Sequence, residues 1–249
     1  MSKILGISSG FHDAAVTLLD GDEIVFAGHS ERYSKEKNDP FLNNGLINAA
    51  LEHGTPDQIV FHEKDWAKRL RNLYGRNFNA LREPSQRKWI KNYYPQLKNI
   101  PTKEYWHHET HAAAGVLTSG YDECAVMVID AIGEFDTATI WHWKKGQLKK
   151  LHSVWFPSSL GLFYSAVTHR VGLKPMEDEY ILMGMAAYGD PIEGKRLSRK
   201  MGKDHFFFHH AWISNRQSIR GSGNLQRGMD PSLYKEYDDF TIAYAAQDR

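Results

Sequence analysis

Residues 3–27 read KILGISSGFHDAAVTLLDGDEIVFA, and in this stretch three short apolar runs are separated by turn-forming residues. Each run has the length and the Ile, Val and Leu content of a β-strand. Ser9-Gly10 provides a turn after the first run, and Asp20-Gly21-Asp22 joins the second and third runs as a hairpin. The stretch therefore predicts a three-stranded meander with strands at Lys3–Ser8, Ala14–Leu19 and Glu23–Ala27.

The segment after the meander predicts a helix and a fourth strand. Apolar residues recur at helical spacing between Phe41 and His53, and Gly54 follows where a helix commonly ends. Ile59–His62 is then a short buried strand. Three strands, a helix and a further strand are how one lobe of an actin-like or ribonuclease H-like domain starts. The predicted fold class is therefore α/β, a mixed sheet flanked by helices, and this analogy implies no function.

Further elements are predicted along the rest of the chain. Ala125–Ile129 is a continuous apolar run, which favours a central parallel strand. Lys195–Gly228 is rich in Arg, Lys, Gly and Ser and predicts an irregular excursion. The remaining strands are expected at Glu104–Trp106, Thr137–Trp143 and Gln147–Trp155, and the remaining helices at Thr110–Leu117, Leu160–Val171, Tyr180–Ala187 and Phe240–Gln247.

The composition limits the class of protein. Hydrophobic residues make up 41% and charged residues 24% of the 249, which excludes a disordered or fibrous chain. The formal net charge of +1 predicts no general attraction to nucleic acid or to membranes. Cys124 is the single cysteine, so disulfide frameworks and cysteine-based zinc sites are excluded, and a reducing, cytoplasmic setting is expected. No apolar run reaches the length of a membrane span.

Positive charge is concentrated in Trp66–Lys98, which carries nine Lys and Arg residues and one acid, Glu83. Aromatic residues are interleaved with these charges, namely Tyr74, Phe78, Trp89, Tyr93 and Tyr94. Such a mixture is able to follow a phosphate backbone and to stack on bases. The alternative, which we favour, is a basic helical excursion over about residues 64–100, with solvated charges and aromatic side chains that pack inward.

The strongest local pattern is His107-His108-Glu109-Thr110-His111. If a helix begins at Thr110, His107 and His111 are four positions apart and both imidazoles can converge on one cation. Asp130 follows the apolar run, at the place where ligands bind beyond the carboxyl ends of parallel strands. We therefore predict a metal site of His107, His111 and Asp130, with iron, zinc and manganese equally suited to these donors. Histidines that merely cap or pack are the alternative.

A second pattern is the turn Gly10-Phe11-His12-Asp13-Ala14, where glycine lets the backbone approach a ligand. His12 is a candidate general base there, because histidine titrates near neutrality. A plain turn with a solvated His12 and an Asx hydrogen bond from Asp13 is the alternative.

A third pattern pairs Ser158–Tyr164 with Met183–Gly189. Ser158 or Ser159 is a suitable N-cap, and small residues at a helix start let backbone amides approach a phosphate or a sugar. Glycine and alanine at these positions also suit plain helix packing, so the pattern alone indicates ligand binding only weakly.

Taken together, these segments resemble the N-terminal, Kae1-like part of the O-carbamoyltransferases of the nodulation and antibiotic-tailoring type. Five motifs occur in the family's order: GFHDAAVTLLDGDEIVFAGHSERYSKEKNDPF (10–41), HHETHAAA (107–114), VIDAIGE (128–134), FPSSLGLFYSAVTHRVGL (156–173) and EDEYILMGMAAYG (177–189). An ordered set of this kind is far more specific than any one of its members.

The resemblance implies an ASKHA-type fold and a mononuclear metal, which is iron in relatives, held by His107, His111 and Asp130. It implies a reaction in which carbamoyl phosphate and ATP yield carbamoyl adenylate, and His12 then deprotonates a hydroxyl of a small acceptor. Arg32 and Lys37 match a segment whose cations offset phosphate or carbamoyl charge. The nucleotide, with Mg²⁺ as a further expected ion, would contact Gly10, Asp13, Ser159, Gly161, Gly184 and Gly189.

Several features depart from the family. Glu36 and Asn38 stand where the family often has a basic residue and a histidine, and Asp130–Glu134 reads DAIGE where the family has DGxGE. Ile181 stands where a lysine is expected. Relatives are also longer, and the part absent here would hold the second lobe, another aspartate ligand and a YrdC-like domain that makes the adenylate. We therefore expect either a truncated form or a split gene, with a second chain or a C-terminal portion that completes the site.

Two rival functions stay open. One is a nucleic-acid-associated member of the threonylcarbamoyl-adenosine branch, which would bind through Trp66–Lys98. The other is an inactive binding remnant. No membrane partner is expected.

Overall fold

Two sheets are present in the part of the chain that the structure describes, and the first contains the predicted meander. The computed structural model describes residues 2–10, 12–74, 78, 85–156, 158–175, 177–205 and 229–248. Five strands form the first sheet: β1 (Lys3–Ser8), β2 (Ala15–Asp20), β3 (Glu23–His29), β4 (Gln58–Phe61) and β5 (Thr102–Glu104). Their spatial order is β3-β2-β1-β4-β5. Since β1 pairs antiparallel with β2 and parallel with β4, the predicted mixed sheet is confirmed.

Helices accompany this sheet: α1 (Glu31–Ser34), α2 (Asn44–Leu51), α3 (Asp65–Tyr74) and α4 (Gln86–Tyr93), followed by a 3₁₀ turn at Pro95–Leu97. The helix expected from Phe41 starts later, because the side chain of Asn43 accepts a hydrogen bond from the backbone N–H of Leu46 and caps α2. Leu46 and Ile47 are fully buried in the core of the first sheet. Burial of each such side chain stabilises the fold by about 1.5–3 kcal/mol.

The second sheet has the order β6-β7-β8, with β6 at Glu123–Ile129, β7 at Asp136–Lys144 and β8 at Gln147–Trp155. The hairpin of β7 and β8 is confirmed. Within the described residues, the expectation of a central parallel strand at Ala125–Ile129 is wrong, because β6 pairs antiparallel with β7 and lies at the edge of this sheet. Its apolar run is continuous because one face packs on α5 (His107–Ser119), while Met127, on the other face, is exposed.

The last part of the described chain is helical, with α6 (Leu160–Arg170), α7 (Glu179–Met185), a 3₁₀ turn at Ala186–Tyr188, α8 (Pro191–His205) and α9 (Asp239–Gln247). These elements share a separate core around Val167, Leu182 and Ile242. The irregular excursion expected from Lys195 is wrong for residues 195–205, which continue α8. Asp190 caps this helix by accepting from the N–H groups of Ile192 and Glu193. Residues 206–228 of the expected excursion lie outside the described residues.

Small shifts affect two predicted elements near the site. The strand expected at Glu104–Trp106 lies two residues earlier, at Thr102–Glu104, where it pairs in parallel with β4. The helix expected from Thr110 begins at His107.

Within the described residues, no helix is long and apolar enough to cross a membrane.

Candidate metal centre

The candidate site lies at the carboxyl ends of the parallel strands of the first sheet. β1, β4 and β5 are parallel neighbours, so the residues that follow these strands emerge at the same edge. Ligands commonly bind at such an edge in open α/β sheets. It carries the turn at Gly10, the pair His62-Glu63 after β4, and His107 at the start of α5.

The structure brings His107, His111 and Asp130 together. Because α5 begins at His107, both histidines lie within the helix and one turn apart. Nε2 of His107 is 3.0 Å from Nε2 of His111 and 2.9 Å from Oδ2 of Asp130. One donor atom of each residue lies within 4.8 Å of the other two, a separation that one cation can span.

Hydrogen bonds alone do not satisfy all three of these atoms. A neutral imidazole has one ring proton, so a proton on Nε2 of His107 would have to serve both Asp130 and the lone pair of His111. A divalent cation interacts favourably with all three donors at once. Two imidazoles and one carboxylate suit Fe²⁺, Zn²⁺ and Mn²⁺ alike, so the residues present fit a transition metal without selecting one of these.

The electrostatic environment favours ligating protonation states at His111 and Asp130. Burial, with a contribution from His107, lowers the pKa of His111 and so favours the neutral imidazole. Burial opposes ionisation of Asp130, but its hydrogen bond and charge interaction with His107 lower the pKa of Asp130 to about 2. Burial also opposes protonation of His107, and the nearby Asp130 outweighs it and raises the pKa of His107. A bound cation would therefore displace a proton from His107.

The segment Asp130–Glu134, here called the metal loop, is tied to α3 by buried charged groups. The carboxylate of Glu134 accepts hydrogen bonds from the backbone N–H groups of Lys64, at 2.8 Å, and His107, at 3.1 Å. Burial raises the pKa of Glu134. Nη1 of Arg71, a buried residue of α3, donates to the carbonyl of Gly133. The start of the basic segment thus supports the metal loop directly.

Sequence reasoning did not select His62 and Glu63, which lie beside His107. Burial lowers the pKa of His62 to about 4. Burial opposes ionisation of Glu63, but Lys68, whose Nζ is 2.6 Å from Oε2, and His62 lower the pKa of Glu63 to about 2. Both residues follow β4 directly, so the strand-end rule that selected Asp130 would also have found them.

α6 packs its first turn against the metal loop. Oγ of Ser159 donates to the carbonyl of Ala131 at 2.7 Å and accepts from the backbone N–H of Leu162 at 3.0 Å. A Cβ atom at Gly161 would lie 2.6 Å from the backbone N of Ala131, so this position requires glycine for packing. The nucleotide contacts expected of Ser159 and Gly161 stay predictions.

The other two glycines of the expected nucleotide site have different surroundings. A Cβ atom at Gly189 would lie 2.4 Å from the carbonyl oxygen of Phe240, so close packing of α9 explains that glycine. Apart from the backbone of its own helix, Gly184 has no atom of the described residues within 4 Å of such a Cβ. The surroundings of Gly184 therefore leave room for a ligand.

The turn that carries His12 is built around a left-handed backbone. Gly10 has φ +86° and Asp13 has φ +48°. Nδ1 of His12 lies 2.9 Å from Oδ2 of Asp13, and both side chains are exposed. Asp13 also lies within 4.8 Å of donor atoms of His29 and Glu31.

The two expected phosphate-binding cations lie on the neighbouring segment. Arg32 is strongly exposed. Nζ of Lys37 lies 5.7 Å from the ring centroid of Tyr180 in α7, which brings residues near α1 beside the start of that helix. Ile181, the residue in place of the expected lysine, follows Tyr180 directly.

The basic segment is only partly as expected. Trp89 and Tyr94 pack inward on the core of the first sheet, whereas Tyr74, Phe78 and Tyr93 are exposed. A hollow of about 680 Å³ is lined by four cationic side chains among its residues: Arg87, Lys88, Lys91 and Lys98.

Comparison with known proteins agrees with the resemblance seen in the sequence. Residues 3–201 match the family described as carbamoyltransferase N-terminus. The chain belongs to this carbamoyltransferase family. The motifs at residues 10–41, 107–114, 128–134, 156–173 and 177–189 all lie within the matched region.

Three relatives illustrate the extent of the carbamoyltransferase match. An uncharacterised protein of Synechocystis is 36% identical to this chain. The match covers 77% of this chain and 35% of the Synechocystis protein. Nodulation protein NolO of Bradyrhizobium diazoefficiens is 38% identical over 36% of this chain and 16% of its own length. Nodulation protein NolNO of Sinorhizobium fredii is 24% identical over 75% of this chain and 29% of its own length. The chain spans about a third or less of these curated relatives.

Among solved structures, the match to a Ppx/GppA family member from Aquifex aeolicus covers 98% of this chain and 88% of that structure's chain. The TM-score is 0.28 at 10% identity, too low to assign a fold.

Proposed function

We propose that this chain is the N-terminal portion of an O-carbamoyltransferase that uses carbamoyl phosphate and ATP, through carbamoyl adenylate, to carbamoylate a hydroxyl of a small acceptor. The observation that carries the proposal is the convergence of His107, His111 and Asp130 in a chain of the carbamoyltransferase family. Histidines that only cap or pack would account for the pair of His107 and Asp130, but not for the second imidazole of His111 beside them.

The fold proposed for the complete protein is the actin-like, ASKHA type. The strand order β3-β2-β1-β4-β5, with β1 parallel to β4, supports it. The second sheet repeats only the first part of this arrangement, because β6, β7 and β8 are antiparallel neighbours and β6 has no partner on its other edge among the described residues.

This open edge supports the need for a second chain or a further portion. The outward residues Met127 and Ile129 of β6 are 65% and 52% exposed, although both are apolar. In the first sheet β1 has β4 as a parallel neighbour at the equivalent edge. We propose that a strand from the rest of the protein pairs with β6 in the same way and completes the cleft.

A metal ion held by His107, His111 and Asp130 would supply Lewis-acid stabilisation of negative charge on a carbamoyl or phosphate oxygen. Glu134 holds the backbone of His107, and Ser159 holds the metal loop, so these residues fix the ligands before substrate arrives. Arg32 and Lys37 are proposed to bind phosphate oxygens of the nucleotide or of carbamoyl phosphate, for which their positive charge is suited.

His12 is proposed as the base that removes the proton of the acceptor hydroxyl. With the ring proton on Nδ1 directed to Asp13, the lone pair of Nε2 is the basic site. Asp13 would hold this tautomer and stabilise the imidazolium formed during transfer. Gly10 and the open surroundings of Gly184 are proposed to allow close approach of the nucleotide.

The function is tested by supplying the portion that completes the chain and following adenylate formation and carbamoyl transfer separately by mass spectrometry. The completed protein should form carbamoyl adenylate from carbamoyl phosphate and ATP, with release of phosphate and pyrophosphate, and should release AMP when an acceptor takes the carbamoyl group. His12→Asn should retain adenylate formation but lose about 10²–10⁴-fold in transfer, since a positioned base contributes that much. His152→Asn, which changes an exposed histidine of β8, is the matched control. Equal loss of both steps in His12→Asn, or of neither, would contradict its role as base.

A nucleic-acid-associated function is the second candidate. The hollow lined by Arg87, Lys88, Lys91 and Lys98, together with the exposed rings of Tyr74 and Tyr93, favours it. Pairing of Lys68 with Glu63 and of Arg69 with Asp65 opposes it, because these cations are already neutralised within the protein.

A further inference from the structure

The two ring nitrogens of His107 have different surroundings. Nε2 faces Asp130 and His111, whereas Nδ1 is buried and has no hydrogen-bond partner among the described residues. If Nε2 binds a cation, the single proton of the neutral ring must sit on Nδ1. A buried N–H group needs an acceptor, so the proposed metal site calls for an acceptor beside Nδ1.

A buried carboxylate lies within reach of this ring. An oxygen of Glu63, a ring nitrogen of His107 and a ring nitrogen of His62 lie within 4.8 Å of one another. The Glu63 side chain is 11% exposed, and its Oε2 is anchored by Nζ of Lys68 at 2.6 Å. A carboxylate has lone pairs for several donors, so the contact with Lys68 leaves it able to accept a further hydrogen bond.

We infer that Glu63 is a positioning residue for the metal ligand His107, and that its carboxylate accepts the Nδ1 proton of His107 when Nε2 binds the cation. This inference rests on the proposed metal site. Metal-binding histidines commonly donate their second ring N–H to a carboxylate, and loss of such a partner typically weakens metal binding about 10–100-fold. Glu134 fixes the backbone of His107 and Glu63 fixes the orientation of its ring.

A second cation between His62, Glu63 and His107 is the competing interpretation of the same cluster. Two positive side chains oppose it, because Lys68 bonds to Glu63 directly and Arg71 interacts with the charge of Glu63. The cluster is therefore better suited to one cation, with Glu63 as an outer partner, than to two cations that share His107.

The test is metal binding by the whole chain, with Co²⁺ and Zn²⁺ as probes. Affinity is measured by competition with a chromophoric chelator, and stoichiometry by titration of the visible Co²⁺ bands. Wild type should bind one equivalent, and Glu63→Ala should bind one equivalent about 10–100-fold more weakly. Glu63→Gln, which keeps an acceptor oxygen but loses the charge, should lie between them. Glu177→Ala is the matched control, because Glu177 is also paired with a lysine, Lys174, but is remote in sequence from His107.

A second readout separates hydrogen bonding from general loss of structure. In the Zn²⁺-loaded chain, the Nδ1 proton of His107 should give a slowly exchanging signal in a ¹⁵N-edited NMR spectrum. This signal should disappear or exchange faster in Glu63→Ala and persist in Glu177→Ala. If circular dichroism shows that Glu63→Ala is not folded, Glu63→Gln is compared with wild type and Glu177→Ala instead.

The outcomes distinguish this inference from the proposed function. If wild type binds one equivalent that His111→Ala loses, but the Glu63 variants match Glu177→Ala in affinity and in the His107 signal, the inference alone is wrong. If wild type binds two equivalents, the second-cation interpretation replaces it. If wild type binds none, the proposed metal site and the inference fail together.

Discussion

Nε2 of His107 lies 2.9 Å from Oδ2 of Asp130, although 23 positions separate the two residues. His107 is the first residue of α5 and Asp130 follows the edge strand β6, so packing of α5 on the second sheet creates the pair. His111, one turn further along α5, joins it. The core contact of Ala112 with Val128 and Trp141 holds the helix in this place.

We expect His111→Ala to remove high-affinity metal binding. The variant loses one of two imidazole donors, so the loss should exceed the about 10–100-fold that removal of an outer partner causes. Metal content after equilibration with Fe²⁺, Zn²⁺ or Mn²⁺ is measured by elemental analysis. His152→Ala, at an exposed position of β8, should bind metal as wild type does. Equal metal content in the two variants would exclude His111 as a ligand.

The buried Arg71 should contribute far more to stability than its neighbour Arg69. Arg71→Ala removes the donor to Gly133 in a buried setting, and we expect a loss of about 1.5–3 kcal/mol in the free energy of unfolding. Arg69→Ala breaks a more exposed pair with Asp65 and should cost about 0–1 kcal/mol. Urea unfolding of both variants measures the difference. Similar losses would show that the contact with the metal loop has no special weight.

The basic hollow is expected to bind nucleic acid only non-specifically, in keeping with the net charge of +1. Gel-shift titrations with tRNA and with single-stranded DNA should give the Kd of about 10⁻⁴–10⁻⁶ M typical of such binding at physiological salt. Arg87→Glu with Lys88→Glu tests the hollow, and Lys145→Glu with Lys149→Glu on the β7–β8 hairpin is the control. Sub-micromolar binding that only the first pair abolishes would favour the nucleic-acid function.

Tyr94 should make the protein less stable in alkali. Burial, with a contribution from Asp39, raises the pKa of Tyr94 to about 12 from 10.0. Because the folded-state pKa is the higher one, this stabilisation is complete below pH 10 and is lost as the pH rises towards 12. Tyr94→Phe should remove most of that loss, because the variant has no hydroxyl to ionise at this position. Urea unfolding near pH 9 and pH 11.5 measures it. Tyr93→Phe, at the exposed neighbour, should follow wild type, and identical profiles for both variants would contradict the prediction.

The local sequence predicted the approach of His107 to His111 better than it predicted the pairing of β6. The spacing of His107 and His111 is a property of any helix that contains both, so their convergence survives the wrong starting point at Thr110. The apolar run Ala125–Ile129 does not reveal which strand pairs with it. Whether its neighbour is parallel or antiparallel depends on the segment that follows, and here the chain turns back so that β7 pairs antiparallel with β6.

The burial of charged residues beside the site could not be predicted from the sequence. Arg71 belongs to a run of basic residues typical of a solvated helix, yet it is buried because Glu63 and Glu134 interact with its charge. The contact of Arg71 with the metal loop joins residues 62 positions apart, a separation that local sequence patterns do not register. α8 was also missed, since Leu197 and Met201 bury one narrow stripe in an otherwise polar segment.

Gly161 should be required for the shape of the metal loop. Gly161→Ala would place a Cβ atom 2.6 Å from the backbone N of Ala131, so the loop or α6 must move. We expect a loss of about 1–3 kcal/mol in stability, as for other overpacked sites, and weaker metal binding because Asp130 precedes Ala131. Gly115→Ala in α5 is the control, since its Cβ would meet Val126 at 3.9 Å and should gain about 0.5–1 kcal/mol. Urea unfolding and Co²⁺ titration of the two variants decide the matter. If Gly161→Ala keeps both stability and Co²⁺ affinity, the loop yields freely and the close approach of α6 does not position Asp130.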